Sequence, residues 1–137
     1  MIDLEVRPRV VMIDDEPDFL ALVGSWLEPK YSFLGMTSGE ELMARIQALD
    51  PCAFILDVCM PGMDGFELCK LIRKDARLRD VPIIFLTGNH TEKDFFRHLQ
   101  AGANVYLTKP VERRFLLKML NDEVWGPSEH VDIAAAD

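Results

Sequence analysis

Phe54-Ile55-Leu56-Asp57-Val58-Cys59-Met60-Pro61-Gly62-Met63-Asp64-Gly65 is the stretch that decides how this chain folds. An apolar run of strand type ends in a carboxylate, Asp57, and gives way to a proline and two glycines with Asp64 between them. Strands that read as continuous apolar runs are buried on both faces of a parallel sheet. Such sheets place their ligand chemistry outside the carboxyl ends of the strands. Asp57 is therefore a candidate site residue. Aspartate also caps turns for purely structural reasons, and this segment alone does not separate the two readings.

Outward from this stretch the same grammar repeats. Short runs rich in β-branched and apolar residues occur at 9–13, 32–37, 82–86 and 104–108. Between them lie helical patterns. The first opens at Pro17 behind Asp14-Asp15-Glu16, carries Phe19, Leu20, Val23, Trp26 and Leu27 at helical spacing, and stops at Pro29. Proline and acidic residues both suit a helix N-terminus. The second opens on Ser38-Gly39-Glu40-Glu41, a capping-box pattern, and sets Leu42, Ile46 and Leu49 on one face before Asp50-Pro51. The third spans about 65–74, with Phe66, Cys69 and Ile72 inward. The fourth opens at Thr91 and ends at Gly102, and the fifth spans about 112–124. Five strands alternating with five helices mean βαβ units and a parallel sheet covered on both faces.

Composition narrows the function. A chain of 137 residues is one domain by length, and with 49% apolar residues it can bury a core. A net charge of −8 argues against nonspecific nucleic-acid or anionic-membrane binding, and no basic run suggests a DNA reader. No apolar stretch is long enough to span a bilayer, and residues 1–9 lack an apolar signal core. These features point to a cytoplasmic protein. Cys52, Cys59 and Cys69 are odd in number and form no CxxC, so they read as free, mostly buried hydrophobes rather than zinc ligands. His90, His98 and His130 are scattered and read as surface residues.

The strand ends gather the chemistry. Asp14 and Asp15 follow the first strand, Asp57 ends the third, Thr87 the fourth, and Lys109 follows the fifth. Right-handed crossovers bring all five to one edge of the sheet. Three carboxylates crowded together repel, and burial raises their pKa values. A hard divalent cation with oxygen ligands, Mg²⁺, relieves this. With a free carboxylate, a lysine and a hydroxyl beside it, the set is equipment for phosphoryl transfer onto Asp57.

Asp14-Asp15-Glu16-Pro17, the block 57–65, Leu86-Thr87-Gly88, and the run 101–110 ending in Thr108-Lys109-Pro110 together resemble the receiver domain of two-component response regulators. The resemblance covers residues 9–124. It implies a (βα)₅ flavodoxin-like, doubly wound five-stranded parallel sheet with strand order 2-1-3-4-5. It implies that Asp57 accepts a phosphoryl group from a sensor histidine kinase or a histidine phosphotransfer protein. Asp14, Asp15, Asp57 and the Cys59 carbonyl would hold Mg²⁺, with Mn²⁺ as a substitute, Asp15 directly and Asp14 largely through water. Thr87 and Lys109 would bind phosphoryl oxygens, Tyr106 would be the switch aromatic, and the Lys109-Pro110 bond would be cis. The readout would pass to a downstream protein target or a fused output domain through the face of the fourth helix, fifth strand and fifth helix. A homodimer through that face is a further state the resemblance allows. No turnover of an external metabolite is expected.

Residues 1–8 read as a lead-in, and 125–137 as a tail or the start of a linker. The chain is either a stand-alone regulator or a receiver cut from a longer protein. Phe95 and Phe96 are adjacent on a helix and point about 100° apart. One of them, Phe96 by preference, is expected on a partner or dimer surface. Cys59 and Asn89, each two residues past a site residue, are where receivers tune water access to an acyl phosphate, and Asn104 replaces a common aspartate, which should be harmless. Three other readings are open on the same fold. An aspartate-nucleophile phosphatase would need an Asp-x-Asp at the first strand. A flavin or nucleotide binder would need a glycine-rich loop there. A phosphate-independent interaction module would lack one of the site residues.

Overall fold

A computed structural model describes residues 7–88 and 91–126. Asn89, His90, His130, residues 1–6 and residues 127–137 lie outside the described residues.

Five strands, β1 (Arg9–Ile13), β2 (Ser32–Met36), β3 (Ala53–Leu56), β4 (Ile83–Thr87) and β5 (Val105–Thr108), alternate with five helices. The helices are α1 (Pro17–Leu27), α2 (Gly39–Arg45), α3 (Gly65–Lys74), α4 (Glu92–Ala101) and α5 (Arg113–Trp125). The strands form one sheet in the order β2-β1-β3-β4-β5, and every pairing is parallel. This is the doubly wound architecture anticipated from the sequence.

The two-residue period of the central strands divides the core. Val11, Ile13, Phe54, Leu56, Ile83 and Phe85 face a cluster with Leu42 of α2, Phe66, Cys69 and Ile72 of α3 and Ala101 of α4. Val10, Met12, Ala53, Ile55, Ile84 and Leu86 face the other side, against Leu20, Val23 and Leu27 of α1 and Leu116 and Leu120 of α5. Because both faces of β1, β3 and β4 are covered, their residues 10–13, 53–56 and 83–86 are all apolar and read as uninterrupted runs.

Local signals hold with some adjustments. Ser38 caps α2 by accepting the Glu41 amide, but the Glu41 carboxylate accepts from Thr37 N rather than closing the box on Ser38. The α-helix ends at Arg45 and a 3₁₀ turn carries the chain to Ala48, so Leu49 packs from beyond the helix. The complete capping box lies instead at Asp64 and Glu67, which exchange backbone and side-chain hydrogen bonds of 2.9 and 3.0 Å.

Two burial assignments are corrected. His98 is not on the surface: it is 6% exposed and stacks edge-on against Phe85 and Tyr106. The inward face of α4 is formed by His98 and Ala101, while Phe95, Phe96 and Leu99 are turned outward. Of the three free cysteines only Cys69 is fully buried, and Cys59 is exposed at the sheet edge.

Candidate functional site

Backbone bonds just past the strands set the edge on which the site is built. Asp14 N donates to Met36 O at 3.0 Å, Asp57 N to Ile13 O at 2.9 Å, and Lys109 N to Thr87 O at 2.8 Å. Each carries the ladder one residue beyond its strand, so the side chains that follow are held as firmly as strand residues.

Asp14 and Asp57 are buried and Asp15 is exposed, and one carboxylate oxygen from each lies within 4.8 Å of the others. Lys109 closes the group. Its Nζ is 3.0 Å from Asp14 Oδ2, 3.4 Å from Glu16 Oε1 and 4.0 Å from Asp57 Oδ2. The ammonium also lies 4.4 Å from the centroid of the Phe19 ring. Asp14 Oδ1 accepts the Glu16 amide at 2.9 Å, and Asp57 Oδ1 accepts the Cys59 amide at 3.2 Å. The Lys109-Pro110 peptide bond is cis.

The electrostatics follow from burial. Asp57 is pushed up to about 6, first by desolvation and then by the charge of Asp14, against the opposing pull of Lys109. Asp14 is raised as well, again chiefly by burial, while the Glu16 amide and Lys109 hold it down. Burial works against the charge on Lys109, but its hydrogen bond to Asp14 and the charge of Asp57 prevail and its pKa is raised. Among the described residues the site is thus a group of carboxylates with one cation, Lys109, beside them. Its oxygen-only donor set, two buried acids beside an exposed one, fits a small hard divalent cation.

Thr87 ends β4 fully buried, with Oγ1 4.0 Å from Cys59 Sγ. Tyr106 does not join the carboxylates. It pairs in register with Phe85 and sits in an aromatic cluster with Phe85, Phe95 and His98, at centroid separations of 5.2–6.2 Å. Beside it an apolar groove is lined by Thr91, Glu92, Phe95, Phe96, Tyr106 and Thr108. The sequence reading missed Glu16 and Phe19 as partners of Lys109. Their positions two and five residues after Asp14, on the turn entering α1, are the only signal that could have suggested them.

On this fold and this edge the chain belongs to the response regulator receiver domain family, whose model matches residues 10–121. Receiver domains are signalling modules rather than metabolic enzymes. Among its relatives, PilH of Pseudomonas aeruginosa is 32% identical over 119 residues, covering 86% of this chain and 98% of PilH. The transcriptional regulator RpaA of Synechocystis is 35% identical over 106 residues, 77% of this chain. The chain spans 44% of the length of RpaA and 20% of that of RcaC from Microchaete diplosiphon. Among solved structures, the chemotaxis protein CheY4 of Vibrio cholerae superposes with a TM-score of 0.80 at 29% identity, over 85% of this chain and 98% of that one. No helix among the described residues is long and apolar enough to cross a membrane.

Proposed function

We propose that this chain is a phosphorylation-activated switch that takes a phosphoryl group onto Asp57 from the phosphohistidine of a sensor kinase or phosphotransfer protein. A carboxylate oxygen of Asp57 forms the new O–P bond. The N–P bond of the donor breaks, and the imidazole nitrogen keeps the electron pair and takes up a proton. The product is an acyl phosphate. The supporting observation is the convergence of Asp14, Asp15 and Asp57 within 4.8 Å with the Lys109 ammonium beside them.

Asp14, Asp15, Asp57 and the Cys59 carbonyl would hold Mg²⁺, or Mn²⁺ in its place. When bound, the ion neutralises charge on the transferring group's equatorial oxygens. Lys109 supplies positive charge to a phosphoryl oxygen, and Thr87 donates its hydroxyl to another. Phosphorylation adds nearly two negative charges at this edge. Thr87 moves toward them, Tyr106 takes up the space released, and the face of α4, β5 and α5 repacks. That is a two-state element biased by a local charge. The modification and its hydrolysis are the only chemistry assigned to the chain.

The repacked face is where we place a downstream protein, a fused output domain or a second copy of the chain. Phe96, 64% exposed on the groove, is the anchor expected there. Residues 9–124 form the switch. The setting is the cytoplasm.

The test is incubation with acetyl phosphate and Mg²⁺, read by intact mass. One added phosphate, absent in Asp57→Asn, is expected. Steady phosphate release without a stable adduct, as from a phosphatase, or no adduct at all would contradict the reading.

A further inference from the structure

The Lys109 ammonium is bound to Asp14, a fully buried carboxylate, at 3.0 Å and to Glu16 at 3.4 Å, and it stands 4.0 Å from Asp57 Oδ2, the carboxylate on which a phosphoryl group would be built. Lysine is a point charge on a flexible four-carbon stem. An ammonium that leaves one oxygen before meeting the next loses stabilisation on the way.

The Phe19 ring answers this. It lies under the ammonium at 4.4 Å. A ring face attracts a cation over its whole area and makes no directional demand. It has no lone pair to compete with a phosphoryl oxygen. The ring is half-buried and packs against the apolar cluster that α1 shares with α5. Asp14, Glu16 and Phe19 belong to one short segment, tied together by the 2.9 Å bond from the Glu16 amide to Asp14.

We propose that Phe19 is a positioning residue for Lys109, its ring face carrying the ammonium from the Asp14 carboxylate to the phosphoryl group on Asp57. The inference rests on the reading of Asp57 as phosphoacceptor. Phe19 touches neither donor nor phosphate and acts through Lys109.

The experiment is a double-mutant cycle on the rate of Asp57 phosphorylation by acetyl phosphate with Mg²⁺. Phe19→Leu, which keeps apolar packing and removes the π face, is expected to slow the rate about three- to tenfold. Phe19→Trp should stay within about twofold of wild type. In a Lys109→Gln background Phe19→Leu should have no further effect. A measurement on the wild-type protein accompanies these variants: the Lys109 methylene protons should be shifted upfield by the ring, and remain so after beryllofluoride is added. Equal rates for Phe19→Leu and wild type, the same loss with and without Lys109, or disappearance of the upfield shift on beryllofluoride would overturn the proposal. If the wild-type chain accepted no phosphate at all, the reading of Asp57 would fall instead, a result distinct from all of these.

Discussion

Arg97 Nη2 lies 3.1 Å from Asp64 Oδ2, which ties α4 to the N-cap of α3. The guanidinium also covers the Phe66 ring at 4.3 Å. The loop that follows Asp57 is thereby joined to the helix that carries Phe95 and Phe96, on a route separate from Thr87 and Tyr106. Both partners are partly open to solvent, 42% and 27% exposed, so the pair is worth little on its own. Asp64→Asn keeps an acceptor for the cap and removes the charge. In a cycle with Arg97→Met, urea denaturation should give a coupling of about 0.5–1 kcal/mol, and additive effects would show that the contact carries no energy.

Arg73 is a second tie. It donates to Gly102 O at 3.0 Å, Leu78 O at 3.0 Å, Val81 O at 2.6 Å and Asn104 Oδ1 at 2.9 Å, and the same Asn104 oxygen accepts the Ile83 amide at 2.8 Å. One side chain thus fastens the ends of α3 and α4 to the starts of β4 and β5. Arg73→Met should cost about 2–4 kcal/mol in chemical denaturation. Asn104→Asp keeps the acceptor and gains a charge beside the guanidinium, so it should be neutral or stabilise by up to about 1 kcal/mol.

Gly65 is where the loop that follows Asp57 folds back on itself. A Cβ there would sit 2.3 Å from the Asp57 carbonyl oxygen and 2.9 Å from Val58 Cα, both backbone atoms that cannot step aside. Gly65→Ala should cost about 2–4 kcal/mol. Because the displaced backbone is that of Asp57, it should also slow phosphorylation by acetyl phosphate, as intact mass against time would record.

Most of the architecture was legible because buried parallel strands leave little choice of residue: β3 is apolar throughout, β1 after Arg9 and β4 up to Thr87, and proline and glycine punctuate them. The edge acids were legible for the same reason, since a carboxylate at the end of such a run stands out. What failed lay on α4 and in the reach of long side chains. On α4 the surface reading of His98 failed: the imidazole and Ala101 face the core, while Phe96, expected on a surface from its angle to Phe95, is indeed exposed, with Phe95 and Leu99 beside it. An imidazole fits there because Phe85 and Tyr106 offer ring edges and faces, which local sequence does not reveal. Lys109 over Phe19 joins residues from opposite ends of the chain, and no spacing rule links them.

The raised Asp57 carboxyl makes stability depend on pH. Its pKa is near 3.8 when unfolded and about 6 when folded, so between these values the folded chain binds more protons than the unfolded one. Stability from this group is therefore present at low pH and is lost as pH rises toward and past 6. Without divalent cation, Asp57→Asn should be more stable than wild type at pH 7.5 by on the order of 1–2 kcal/mol. The gain should fade as pH falls to about 4, and melting temperatures across that range would check it.

Lys109→Gln tests the cation of the site. It leaves the buried Asp14 carboxylate without its 3.0 Å partner and should cost about 1–3 kcal/mol in urea. The phosphorylation rate should fall more than about tenfold.

The most direct measurement is the location of the phosphoryl group itself. After reaction with acetyl phosphate and Mg²⁺, borohydride reduction converts an acylphosphorylated aspartate to homoserine, which peptide mass mapping can place. Homoserine at position 57, only in the phosphorylated sample and only with divalent cation present, is the predicted result. Homoserine at 14 or 15, or a phosphate that resists reduction because it sits on a hydroxyl, would contradict the account.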